Sequence, residues 1–97
     1  MIARVTRYQV DVDKLEESIE AFQKSVIPAV KLQQGYRNGY LLIDRKTGKC
    51  MTIAFWDSEQ NAIADEQSGH YKQRVDTGKN RFVAQPVREL YEVVAQD

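Results

Sequence analysis

A chain of 97 residues is the size of one domain, and residues 1–97 read as a single unit. Fourteen Lys and Arg balance fourteen Asp and Glu to a formal net charge of zero, which excludes the clustered positive surface that nucleic acid requires. No apolar run approaches the roughly 18 residues of a membrane span, and "MIARVTRYQV" lacks the apolar core and cleavage site of a signal peptide, so a cytoplasmic protein with no membrane partner is expected.

"IARVTRYQV" (2–10) is rich in β-branched and aromatic residues and predicts a strand. Asp13 then stands as a helix N-cap, with Glu16 three residues on to complete a capping box. Leu15, Ile19, Phe22, Val26 and Val30 follow at three- and four-residue steps, the stripe of an amphipathic helix. Pro28 lies inside that stripe and should kink it, and Gly35 should stop it. "YRNGYLLID" (36–44) and "KCMTIAFW" (49–56) predict two strands joined at "RKTG", where Gly48 suits a left-handed turn position. The single cysteine, Cys50, cannot form an internal disulfide; it reads as a small apolar strand residue in a reducing compartment. A second helix should begin near Asp57 or Ser58, with Gln60 capping back, and run to about Gln67. Gly69 interrupts it, and Tyr71, Val75 and Phe82 predict a further helical piece into the low eighties. Pro86 precedes the last strand, "VRELYEVVA" (87–95).

The order β-α-β-β-α-β is the ferredoxin-like pattern of an α+β fold: a four-stranded antiparallel sheet with the helices on one face. Along the third strand Met51, Ile53 and Phe55 alternate with Cys50, Thr52, Ala54 and Trp56, so neither side is strongly polar. Along the second, Tyr40 and Leu42 oppose Leu41 and Ile43 in the same way. Helices can cover one face only, so a second copy of the chain is expected over the other. A homodimer follows from the pattern.

"SVIPAVKLQQGYRNGYLLIDRKTGK" and "IAFWDSEQ" leading into "SGHYKQ" carry a family resemblance over nearly the whole chain. The chain resembles the dimeric α+β barrel superfamily, in particular its small antibiotic-biosynthesis-monooxygenase-like domains. The resemblance implies a dimeric α/β barrel and a cofactor-independent monooxygenase acting on a small apolar or phenolic molecule, with no cofactor and no metal. A non-catalytic dimeric ligand-binding or stress-responsive module of the same fold is the alternative, and a haem-binding relative a third. Relatives often carry two histidines about nine and fourteen residues after the strand-end Trp. Counted from Trp56 these positions hold Asp65 and His70, so one of the pair matches. Haem-degrading relatives use an Asn, a Trp and a His at positions that fall here on Thr6 or Arg7, Asp65 and Val75, and none matches.

His70 is the candidate catalytic residue, because an imidazole titrates near neutrality and can take a proton from a phenol or enol. Gly69 would let its ring face a cleft; the plainer placement is at a helix end. Trp56, Tyr8, Tyr40 and Asp65 are the candidate substrate-binding residues. Trp56 would be a cleft wall or core, Tyr8 and Tyr40 core edges or pocket hydrogen-bonders. Asp65 would orient His70 or lie on an exposed polar face. Arg4 and Arg7 could hold an anion, but Glu89 and Glu92 on the neighbouring last strand are their expected partners. Nothing has metal-ligand spacing, and the five glycines are scattered singly, so no phosphate loop is present.

Overall fold

Alternation along the first strand sets the architecture. The computed structural model describes residues 1–78 and 81–97, and of residue 77 the backbone only. Strand β1 (Ile2–Gln9) turns Ile2, Arg4, Thr6 and Tyr8 toward the helices and Ala3, Val5 and Arg7 away from them. It is central. β1 pairs antiparallel with β3 (Lys49–Trp56) on one side and with β4 (Val87–Glu92) on the other, and β2 (Tyr36–Ile43) pairs antiparallel with β3. The strand order β2-β3-β1-β4 and the intervening helices give the expected α+β, ferredoxin-like sheet.

The first helical segment departs from the expectation at its start. Val12–Lys14 form a 3₁₀ turn, and helix α1 (Leu15–Ala21) follows it with no side-chain cap. Asp13 therefore sits inside the first turn, and Glu16 pairs outward with Arg45 rather than completing a capping box. Phe22–Val26 widen into a π-helical stretch, in which the Ile27 N–H reaches back five residues to the Phe22 carbonyl. Helix α2 (Ile27–Val30) carries Pro28 in its first turn. Proline has no N–H to give the carbonyl four residues earlier, so a wider turn just before it takes up the irregularity.

Two glycines end these elements for steric reasons. Gly35 has φ +83° and lies against the Asn61 side chain, where a Cβ would overlap it. Gly48 has φ +81° and lies against the Val10 carbonyl oxygen, which a Cβ would also overlap. The Val10 N–H donates in turn to the Gly48 carbonyl at 3.0 Å, tying the β2–β3 turn to the end of β1.

Helix α3 (Glu59–Gln67) starts at Ser58, whose hydroxyl accepts from the Asn61 N–H at 3.1 Å. Ser58 is the cap, and its partner is Asn61 rather than the expected Gln60. After Gly69 (φ +87°), α4 spans His70–Gly78. The expected continuation into the low eighties falls partly on residues 79 and 80, outside the described residues.

Two buried clusters hold helices to sheet. Val10, Leu15 and Cys50 form one, with Tyr8, Leu41, Ile43 and Phe82 packed on it. Val30, Trp56 and Ala62 form the other, with Ile2, Tyr36, Ala54 and Leu90 around them. Among the described residues no helix covers the opposite face of the sheet. Tyr40 and Val87 are each 55% exposed, Leu42 50% and Tyr91 45%, with Val5, Met51, Ile53 and Phe55 half-buried among them. No helix among the described residues is long and apolar enough to cross a membrane.

Candidate functional site

Between the two core clusters the helices do not close fully on the sheet. A cavity of about 130 Å³ remains, lined by members of both clusters, including Tyr8, Phe82, Val30, Tyr36 and Ala54. Phe22 and Val26 of the π-helical stretch also line it, so the irregular turn before Pro28 shapes one wall. The volume is comparable to an apolar cavity of about 150 Å³ that admits benzene. Its scale suits a one-ring aromatic body.

Polar groups stand at the ends of this largely apolar space. Arg4 lies on the inward face of β1 and is 5% exposed. Its Nη2 pairs with Asp65 Oδ2 at 2.9 Å, and its Nη1 donates to the Ala62 carbonyl at 3.4 Å. The guanidinium carbon stands 5.0 Å from the centre of the Trp56 ring and 4.7 Å from that of Tyr71, in cation–π contact with both. Burial pulls Arg4 below its ordinary value, and Asp65 chiefly opposes that pull; an arginine stays charged in either case. Arg74 of α4 pairs through Nη2 with the same Asp65 Oδ2 at 2.7 Å. Two buried cations thus share one carboxylate oxygen. Glu66 pairs with Arg88 at 3.2 Å and stands 3.8 Å from Arg4.

Several atoms of this region lack hydrogen-bond partners among the described residues. Ser18 Oγ and Arg74 Nη1 are both buried without one, and both residues line the cavity. Leaving a buried donor unpaired costs about 1–3 kcal/mol, so such groups call for a partner. At the other end Tyr8 packs on Phe82 with ring centres 5.0 Å apart. Burial pushes the Tyr8 phenol well above its usual range, and the Cys50 thiol is pushed up by burial too.

Of the residues singled out from the sequence, Tyr8 lines the cavity. Trp56 is fully buried in the core, in edge-on contact with Tyr36 at 5.5 Å, and is not among the lining residues. Tyr40 faces away from the helices, edge-on to Phe55 at 6.3 Å on the open side of the sheet. His70 is exposed at the start of α4, where its backbone N–H donates to Ser68 Oγ at 3.2 Å; it does not line the cavity. The general-base expectation for His70 therefore has no geometric support in the chain. Asp65 neither orients His70 nor lies on an exposed face. It is 3% exposed and serves Arg4 and Arg74. The expected β1–β4 ion pair forms at Arg7 and Glu89, and Arg4 goes to Asp65 because it is on the other face.

The arginine cluster is what sequence reasoning missed. Its signal was present: Arg4 shares the inward alternation of Ile2, Thr6 and Tyr8, and Asp65 follows the small inward residue Ala62 by three. Among the described residues no group of three or more His, Cys, Asp or Glu is placed to hold a metal.

Solved structures share this fold. One from Nitrosomonas europaea, provisionally named an antibiotic biosynthesis monooxygenase, superposes with a TM-score of 0.80 at 17% identity, over 98% of this chain and 100% of that one. A similarly named protein from Deinococcus radiodurans gives a TM-score of 0.82 at 12% identity, over 100% and 96%. The chain carries the antibiotic-biosynthesis-monooxygenase-like fold. A mutant of SnoaB, a cofactor-independent oxygenase from Streptomyces nogalater, shares that fold with a TM-score of 0.74 at 17% identity, over 98% and 94%. No family model matches the chain. Over 55 residues, 57% of its length, it is 33% identical to the uncharacterized proteins MT2634 and Rv2557 of two Mycobacterium tuberculosis strains, of which it spans 25%.

Proposed function

We propose that the chain is a cofactor-independent monooxygenase-like enzyme whose substrate, a small apolar or phenolic molecule, enters the cavity between helices and sheet. The single observation carrying this is the cavity itself, apolar along its length and bordered by Arg4, Arg74 and Tyr8. The shared fold with an oxygenase supports the reaction class at the level of analogy. Chemically, a guanidinium beside a phenol or enol favours its ionised form, and the electron-rich anion is the species that gives electrons to oxygen. The charge of Arg4 and Arg74 would favour that anion, and Tyr8, whose own proton is firmly retained, would donate a hydrogen bond. The apolar walls exclude competing water.

A second reading is a ligand-binding module without turnover. It is favoured by the absence of any His, Asp or Glu among the described residues that line the cavity. In both readings the open sheet face is covered by a second copy of the chain, and the free buried Cys50 suits a cytoplasmic location.

Oxygen uptake separates the two. Purified protein incubated with hydroxylated one- and two-ring aromatics, without added flavin or metal, should consume oxygen in step with loss of the aromatic. Binding of those compounds with no uptake above the protein-free rate would decide for the module. No binding at all would remove the cavity as the site.

A further inference from the structure

We propose that the ligand of this cavity carries a carboxylate on its small aromatic body, and that the carboxylate sits at Arg74 and Ser18. The inference rests on the reading of the cavity as the ligand site and adds the chemical class of what fills it.

Charge argues first. Three arginines, Arg4, Arg74 and Arg81, line the cavity, and no described lining residue is acidic. Arg4 and Arg74 share a single carboxylate, Asp65, which meets both through the same Oδ2. Glu66 divides itself between Arg88 and Arg4. Arg4, Arg74 and Arg88 against Asp65 and Glu66 leave one positive charge over. Among the described residues Arg81 is paired only with the exposed Glu17, at 3.6 Å. An apolar cavity bordered by surplus positive charge selects for an anion, because few waters are present to screen it.

Hydrogen bonding places the anion. Arg74 uses Nη2 on Asp65, and its buried Nη1 has no partner among the described residues. Ser18, 6% exposed on α1, lines the same cavity, and its hydroxyl also has no partner among those residues. Arg4 is less available, since Nη2 is on Asp65 and Nη1 on the Ala62 carbonyl. A guanidinium N–H and a hydroxyl are the two donors one carboxylate can take together, one on each oxygen. Among the described residues Asp65 Oδ1 also lacks a hydrogen-bond partner, and Glu66 Oε1 has only its ion pairs with Arg88 and Arg4, but neither residue lines the cavity. Phe22, Val26, Val30 and Val75 offer only apolar surface to the rest of the ligand.

The test compares benzoate, benzamide and phenol with the full chain by calorimetric titration at fixed ionic strength. Benzoate should bind at least about tenfold more tightly than benzamide, since a charge-assisted hydrogen bond is roughly twice as strong as a neutral one. Arg74→Met should remove that preference, Arg7→Met on the open sheet face should keep it, and Ser18→Ala should weaken benzoate severalfold while leaving phenol unchanged. Should Arg74→Met fail to fold, the wild-type ratio and Ser18→Ala still decide. Equal binding of all three ligands would overturn the carboxylate assignment and leave the cavity standing as a ligand site. Retained benzoate preference in a folded Arg74→Met protein would overturn the seat. Failure of all three to bind at millimolar concentration would overturn the assignment and the cavity reading together.

Discussion

Tyr8 and Cys50 face each other across the β1–β3 register on the helix side of the sheet, and burial raises both above their ordinary values of 10.0 and 9.0. A raised folded value means that the unfolded chain ionises first as pH climbs. The stability these groups contribute is fully present below pH 9 and is lost above it, first through Cys50 and then, past pH 10, through Tyr8. Denaturation midpoints measured between pH 8 and 11 should fall with a slope that steepens above 10, and Tyr8→Phe should flatten the upper part. An unchanged slope in that variant would assign the loss to other groups. His70 gives the opposite kind of expectation. Exposed and away from the cavity, it should tolerate replacement by Ala with any ligand affinity or oxygen uptake held within about twofold, whereas a positioned acid–base group is worth about 10²–10⁴. A loss of that larger size would bring His70 back as a base.

At the scale of elements, α3 is docked by charge as much as by apolar contact. Its buried positions are Ala62 and Asp65, three residues apart on one face. Ala62 is small enough to let α3 approach the sheet, and its carbonyl and the Asp65 carboxylate both receive Arg4. Arg74 brings α4 to the same carboxylate, so one side chain joins β1, α3 and α4. Asp65→Ala should cost about 3–5 kcal/mol in denaturant titration, because two buried guanidiniums lose their counter-charge. Arg7→Ala should leave the midpoint where it was, since the Arg7–Glu89 pair is exposed and water replaces the partner. Equal effects of the two substitutions would mean that the buried network holds nothing in place.

For the whole molecule the open sheet face is decisive. Tyr40, Leu42, Val87 and Tyr91 remain exposed beside Ile53 and Phe55, and among the described residues the only ion pair within that face is Arg7 with Glu89. Such a surface seeks a partner, and a second copy meeting it face to face would bury both patches at once. Light scattering at micromolar concentration should give twice the chain mass, and Leu42→Asp should give the chain mass with native circular dichroism. A wild-type protein that scatters as a monomer would defeat this expectation. The cavity lies on the other side of the sheet, so comparing the Leu42→Asp protein with the wild type would also show whether ligand binding needs the dimer.

The sequence by itself determined the order of elements, the faces of the strands and the excess of apolar surface. These depend on local spacing: a period of two in "KCMTIAFW", three- and four-residue steps from Leu15 to Val30, and glycines at the turns. It could not show which helix start would form, because Asp13 and Ser58 look alike as caps and only the path of the chain places one of them correctly. Nor could it show the site. Trp56 and His70 stand out by rarity, but rarity does not say which way a side chain points, and the fold buries one and exposes the other. Arg4, Asp65 and Arg74 are 61 and nine positions apart in sequence and look like ordinary surface charges. Only the docking of α3 and α4 over β1 withdraws them from water together, and once there each cation needs the shared carboxylate. That long-range packing decided where the cavity lies and what chemistry borders it.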